Sequence, residues 1–379
     1  MHYFLSAGEA SGDLHASKLI EALRSRDPEA RFTFLGGDEM SKAAAGEPVI
    51  HYRDMAYMGF VEVVKHLRQV LGNLDKARQA ITDGRPDAVI LVDYPSFNMR
   101  LARHAHKLGL PVYYYISPKV WAWKEGRVKK IRRYVKRVLS ILPFEPQWYQ
   151  SRHSMKVNYV GNPSLNEVDA RIPSIPSLET FRRMYLPVAP HDNRPLLALV
   201  PGSRKAEVTS NLPVMIEVAR RHPDLQPVIA AAPGLDKSVY ARWKDVPVVS
   251  GVTFELMAVA KAALVTSGTA TLEAALLGTP QVVCYRNNGS RLAYSLFKRI
   301  LKIDYVSLPN LITNSPVVAE QLLHHCNPDE VDARLAPLLD ATPERKDQQE
   351  GYLDMRQRLT RSDAAATAAA IIIDDLSAK

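Results

Sequence analysis

Short apolar runs bounded by glycine, proline or charge recur along the first part of the chain. His2 to Ala7, Arg31 to Gly36, Ala88 to Asp93, Val112 to Ile116, Val138 to Leu142 and Val157 to Val160 read as buried strands. Between them apolar residues return at helical spacing. Phe60, Val63, Val64, Leu67, Val70, Leu71 and Leu74 form one stripe, and Val128, Ile131, Val135 and Val138 another. Strand–helix alternation of this kind predicts an α/β chain with a parallel sheet covered on both faces.

The alternation breaks where prolines stand at 163, 173, 176, 187, 190 and 195, which marks 166–194 as a linker. It then resumes. Leu196 to Val200, Pro227 to Ala231, Val246 to Val249, Ala263 to Thr266 and Gln281 to Tyr285 read as strands. Val208, Leu212, Met215, Ile216 and Ala219 share one face of the helix between the first two. Two parallel-sheet domains, 1–165 and 195–344, follow, with the carboxyl ends of their strands expected to face a cleft where ligands bind. Helices from about 345 to 379 are expected to close the chain by packing back on the first domain.

At 379 residues the chain exceeds what one core fills, which supports two domains. Its most apolar stretch, Ala364 to Ile373, ends in Asp374 and Asp375 and is half the length of a membrane span of about 20 residues. The first apolar stretch meets Glu9 and Asp13 without a basic lead, unlike a signal peptide. Cys284 and Cys326 are too few for a disulfide framework and suit a reducing cytoplasm. The net charge of +9 is unevenly spread: Lys124 to Arg137 holds eight cations against Glu125, a local +7. Nucleic acid, an anionic lipid surface or a phosphorylated ligand would each suit it.

Five segments carry chemistry. In Leu199 to Arg204, a strand runs into a turn where Gly202 admits close backbone approach, Ser203 follows, and Arg204 offers a fork of donors to phosphate. An ordinary strand-to-helix turn fits the same residues. In Thr266 to Ala275, the amides around Gly268 and the hydroxyls of Ser267, Thr269 and Thr271 open a helix suited to a diphosphate, with Glu273 placed for ribose hydroxyls. A capping box explains Glu273 equally well. Asp93 closes a buried strand in the run Leu91 to Asn98, where desolvation would raise its pKa toward that of a general base; a turn-forming aspartate is the alternative. Ala7 to Asp13, with Glu9 and Ser11, matches neither a P-loop nor GxGxxG and could position an acceptor. Ser117 to Trp123 places Trp121 and Trp123 beside the cations Lys129, Lys130, Arg132 and Arg133, a combination suited to a membrane interface or to a solvated face over a core. No DxD-like pair is placed to hold a metal, and no nucleic-acid recognition fold accompanies the basic helix.

Taken together the segments resemble the lipid-A-disaccharide synthase family. The matching stretches, in family order, are GEASGD (8–13), MGFVEV (58–63), DYPSFN (93–98), SPKVWAWKEGR (117–127), LPFE (142–145), VGNP (160–163), VPGSR (200–204), SGTATLEAALLGTPQVVCYR (267–286) and SLPNL (307–311). The resemblance implies two Rossmann-like domains in the glycosyltransferase B fold, the acceptor and membrane surface on the first and the UDP-sugar on the second. It implies inverting transfer of 2,3-diacylglucosamine from UDP to the 6-hydroxyl of 2,3-diacylglucosamine 1-phosphate, without a cofactor, peripherally at the anionic inner membrane. Asp93 matches the family's proposed base. Arg204 falls near the donor phosphates, Glu273 at the ribose, Asn310 in a segment lining the donor site, and Glu9, Ser11 and Asn98 on the acceptor side. Asn162 replaces a usual histidine, and Asn314, Ser315 and Leu323 stand where the family often has Gly, Arg and Gln. An epimerase acting on UDP-N-acetylglucosamine, or a non-catalytic binder of nucleotide sugar or lipid, is the competing reading, and a homodimer stays open.

Overall fold

A computed structural model of the chain describes all residues except 56–66, 187–191, 233, 287–302, 361 and 379. Part of the stripe from Phe60, and the MGFVEV motif, lie outside the described residues. The chain forms two compact units, Met1–Pro163 with Thr360–Lys379, and Ser164–Leu359.

The first unit carries a parallel sheet of seven strands: β1 (His2–Ala7), β2 (Arg31–Gly36), β3 (Ile50–His51), β4 (Ala88–Val92), β5 (Val112–Tyr115), β6 (Arg137–Ser140) and β7 (Asn158–Tyr159), in the order β3-β2-β1-β4-β5-β6-β7. The strand order reverses between β1 and β4, so their carboxyl ends diverge into a crevice at that switch point. Both strands are buried, as strands covered by helices on two faces must be. On one face, Ala364, Ala368, Ala369 and Ile372 of the closing helix Ala364–Ser377 share a core with Ala16, Leu19, Ile20 and Leu23 of helix Ala10–Arg26. Small alanines let the two helices approach closely. At the far end Asp375 accepts from Tyr113 Oη (3.2 Å), Arg137 Nε (3.2 Å) and a terminal Arg137 nitrogen (2.8 Å), and pairs with Lys136 at 3.2 Å.

The second unit carries β8 (Leu196–Val200), β9 (Gln226–Ala231), β10 (Val248–Ser250), β11 (Ala262–Thr266), β12 (Gln281–Tyr285) and β13 (Ala319–Leu322), parallel and ordered β10-β9-β8-β11-β12-β13. Its switch point lies between β8 and β11. Two parts of this unit differ from expectation. The stretch read as a linker begins with helix Pro163–Arg171 and contains helix Leu178–Tyr185, which is capped by the Ser177 hydroxyl and anchored by buried Phe181. Helix Pro343–Arg358 belongs to this unit, where Gln348 exchanges hydrogen bonds with the backbone of Gln281 (2.9 and 3.0 Å) and Tyr352 Oη donates to Thr279 O (3.1 Å). Only the last helix returns to the first unit.

Candidate active site

The parallel pairing of β1 with β4 runs out at Ala7 and Val92, which stand opposite each other. The next residues, Gly8–Glu9 and Asp93, therefore emerge side by side at the first switch point. Gly8 is required by contact: a Cβ there would sit 2.3 Å from Cγ of Tyr94. Asp93 and Tyr94 both take the left-handed conformation (φ 44° and 46°), which non-glycine residues adopt at a cost of about 1–2 kcal/mol each. The surroundings hold that turn. Asp93 N donates to the carbonyls of Tyr115 and Ile116 (3.3 and 3.2 Å), and Asp93 O accepts from Tyr114 Oη (2.7 Å) and Asn98 Nδ2 (2.8 Å).

Burial chiefly, and then the negative charge of Glu9, push the Asp93 carboxyl up to about 6, against the opposing pull of Lys119. It is thus poised to titrate close to neutrality, as proton-transfer groups do. Ser11 Oγ donates to Glu9 Oε1 at 3.0 Å on the exposed start of the helix. Asp13, which closes the same motif, faces elsewhere. Its carboxylate accepts from the amides of Gly37 (2.6 Å), Glu39 (3.0 Å) and Met40 (3.3 Å), capping helix Asp38–Ala44.

Asn98 was expected on the acceptor side, and the structure corrects this. It is fully buried, donating to the carbonyls of Ser6, Val92 and Asp93 and accepting from Ser6 Oγ at 2.7 Å. It ties the ends of β1 and β4 together and contacts no open space. The second unit repeats the device. Buried Asn211 donates to Pro201 O (3.2 Å) and Thr266 Oγ1 (2.9 Å) and accepts from Arg286 N (2.6 Å), joining the ends of β8, β11 and β12. Neither staple stands out from an apolar pattern; each is a lone asparagine on the buried face of a helix that follows a strand.

At the second switch point Val200 lies opposite Val265, so Pro201 to Arg204 and Ser267 to Thr269 leave the sheet together. Gly202 has φ 113°, and a Cβ on it would lie 2.6 Å from Oε2 of Glu207. Glu207 accepts from the amides of Ser203 (3.0 Å) and Arg204 (3.3 Å), and Arg204 pairs with its other oxygen at 3.3 Å while staying over half exposed. The Ser203 amide is therefore taken by Glu207, and the cation that remains presentable is the Arg204 fork. Gly268 and Thr269 are exposed at the start of helix Thr269–Leu276, where no side chain caps the helix. Thr271 Oγ1 donates back to Gly268 O at 2.8 Å, and Glu273 sits half-buried one turn in.

Asn310 is likewise corrected as a ligand contact. It is buried, donating to Val318 O and Glu320 Oε1 (both 2.9 Å) and accepting from Val318 N (2.8 Å). Glu320 on β13 also accepts from the amides of Val306 and Ser307. Val306 O in turn receives the Ser267 hydroxyl at 3.4 Å, so Asn310 and Glu320 set the wall beside the Ser267 turn.

Of the two tryptophans expected at a membrane, Trp121 is buried: it stands edge-on to Phe144 at 5.1 Å and donates to Glu145 Oε1 at 2.8 Å. Trp123 is 43% exposed, with Lys124 Nζ 4.1 Å from its ring centre. Lys129, Lys130, Arg132 and Arg133 are exposed on helix Val128–Tyr134, whereas Lys136 and Arg137 are engaged by Asp375. Glu145, absent from the expected site residues, collects Trp121 and the hydroxyls of Ser117 and Ser140, fixing the loop that carries Lys119. Its burial raises the carboxyl to about 7.

Two doubly wound sheets, each with a built turn at its switch point, one acidic and one with an exposed arginine, give the chain the glycosyltransferase B fold. Solved structures with this fold include UDP-GlcNAc 2-epimerase from Neisseria meningitidis bound to UDP-GlcNAc (TM-score 0.67, 12% identity, all of both chains covered). The glycotransferase of kitacinnamycin is another (TM-score 0.66, 15% identity, 99% of each chain). The chain belongs to the lipid-A-disaccharide synthetase family, whose model matches residues 3–373. It is 38% identical to the lipid-A-disaccharide synthase of Syntrophus aciditrophicus (strain SB) over 377 residues, covering 97% of this chain and 96% of that protein. Identity to the Myxococcus xanthus (strain DK1622) synthase is also 38%, with the same coverage.

Proposed function

We propose that the chain transfers 2,3-diacylglucosamine from UDP to the 6-hydroxyl of 2,3-diacylglucosamine 1-phosphate, forming the β-1,6-linked disaccharide and UDP. The observation that carries this reading is the Asp93 turn, a strained, braced carboxylate with its pKa raised to about 6 at the switch point of the first sheet. Asp93 takes the proton of the acceptor hydroxyl as that oxygen bonds to the anomeric carbon. The bond from that carbon to the UDP oxygen breaks on the opposite face, and its electron pair leaves with the diphosphate. Arg204 and the amides of Gly268 and Thr269 receive that growing charge, and Glu273 takes the ribose hydroxyls. Glu9 and Ser11 bind the acceptor sugar beside the base. Asn98 and Asn310 hold the two ligand-facing turns in shape and touch neither ligand.

The acyl chains of both substrates keep them in a bilayer, so the enzyme works peripherally at an anionic inner-membrane surface. Trp123 and the exposed cations Lys129, Arg132 and Arg133 supply the contact. No helix among the described residues is long and apolar enough to cross a membrane.

The test is UDP release by purified protein given UDP-2,3-diacylglucosamine in detergent, with and without the acceptor monophosphate. Release that depends on acceptor, with a β-linked product, supports the reading. Conversion of the sugar nucleotide to its epimer without acceptor would replace it with the epimerase reading.

A further inference from the structure

Beside the Asp93 turn lies a cavity of about 560 Å³, within the usual range of small-ligand sites. Five cations line it: Arg78 from helix Leu67–Gly84, Arg100 and Arg103 from helix Pro95–Lys107, Arg127 from the turn that precedes helix Val128–Tyr134, and Lys130 from that helix. No carboxylate among the described residues lines it. Among the described residues only Arg78 has an acidic partner, the exposed Asp75 at 3.1 Å, while Arg127 donates to the hydroxyl of Ser96 at 3.4 Å and lies 5.5 Å from the ring centre of Trp123. Arg78 Nε is buried without a hydrogen-bond partner. Convergent cations that repel one another, with a buried donor left unmet, describe a site that is satisfied by an anion rich in acceptor oxygens.

Position narrows the anion. Pro95 and Ser96 form part of the wall, and Pro95 is two residues from Asp93. Two Cα–Cα steps of about 3.8 Å keep those Cα atoms within about 7.6 Å. In a pyranose the carbon that bears the 6-hydroxymethyl group and the carbon that bears the 1-phosphate both flank the ring oxygen, so an acceptor whose 6-hydroxyl meets Asp93 has its 1-phosphate within reach of the cavity.

We infer that the cavity lined by Arg78, Arg100, Arg103, Arg127 and Lys130 binds the phosphomonoester of the acceptor sugar. The inference rests on the reading of Asp93 as the acceptor-side base, and it assigns the local charge to substrate recognition as well as to membrane contact.

The probe variant is Arg100→Ala with Arg103→Ala. Both side chains are exposed, so the core is untouched, and Arg103→Lys serves as the mild companion. Short-chain, detergent-soluble acceptors with a 1-phosphate or a free 1-hydroxyl are compared, glucosamine 1-phosphate is titrated into parent and variant, and flotation with anionic vesicles is measured. The parent should prefer the phosphorylated acceptor. The double variant should lose about 10-fold or more in kcat/KM for it, and under about threefold for the 1-hydroxyl acceptor. Its glucosamine 1-phosphate affinity should fall by a similar factor, with Arg103→Lys intermediate, while UDP affinity and flotation stay unchanged. Equal loss on both acceptors, or none, overturns the inference. Lost flotation with acceptor discrimination intact also overturns it, and assigns the cavity to a lipid headgroup. If the parent fails as a transferase, the titration still decides: binding that vanishes in the variant supports the cavity, and no binding by the parent refutes it.

Discussion

Asp93 sets a conflict between stability and chemistry. Its folded-state pKa is raised, so the native state holds a proton that the unfolded chain releases, and stability declines as pH rises from about 4 to about 6. A shift of roughly two units corresponds to at most about 2–3 kcal/mol. Asp93→Asn is therefore expected to flatten that decline and to melt above the parent at pH 7, which thermal unfolding at pH 4 and pH 7 would show. In the parent, kcat/KM should fall below about pH 6 as the base becomes protonated. On the nucleotide side, Arg204→Ala deletes a charge-assisted contact of about 1.5–3 kcal/mol, a loss of about 10- to 150-fold in UDP affinity by calorimetry. Glu273→Ala should also weaken UDP, through its ribose. If both variants bind UDP like the parent, the nucleotide lies elsewhere. Residue type alone separated these roles poorly. Asn98, Asn310 and Trp121 are polar or amphipathic residues in expected motifs, yet each spends its polar atoms inside the fold, and only the surrounding strand ends reveal it.

At the scale of elements, long apolar runs were legible within a residue or two because both faces of a parallel strand are buried. Ile50–His51 and Ala319–Leu322 were not: edge strands this short, with Glu320 and Gln321 in the second, carry no apolar run. The stripe Val128, Ile131, Val135, Val138 spans a helix that ends at Tyr134 and a strand that begins at Arg137, both feeding one core. Prolines 173 and 176 bound helices and did not signal a linker, since Ser177 caps the second of them. The closing helix gives an element-level prediction. Ile372 is fully buried against helix Ala10–Arg26, so Ile372→Ala should cost about 2–5 kcal/mol in denaturant unfolding. Hydrogen bonds from Arg137, followed by Lys136, hold Asp375 down at about 2. That lowered pKa gives stability present above about pH 4 and lost as pH falls toward 2, and Asp375→Asn should abolish this acid dependence. An unchanged midpoint in Ile372→Ala would mean the helix is dispensable.

For the whole molecule, the sequence pattern and the motif order together carried the division into two parallel-sheet units and the family, because the strand–turn–helix segments fall at the two switch points. The surface prediction belongs here. Reversing Lys129, Arg132 and Arg133 to Glu spares Lys130 of the cavity and should abolish flotation with anionic vesicles. Each basic residue near such a surface contributes about 1 kcal/mol, and the screening length falls from about 10 Å at 0.1 M salt to about 3 Å at 1 M, so parental flotation should weaken with salt. Persistent flotation of the reversed variant would locate docking elsewhere. The central claim, that the acidic turn of the first sheet performs the chemistry while the second sheet holds the nucleotide, is tested most directly by Asp93→Asn at saturating substrates. Turnover should fall by about 10²–10⁴-fold while the UDP dissociation constant stays at the parental value. A loss below about threefold, or a parallel loss of UDP binding, would contradict it.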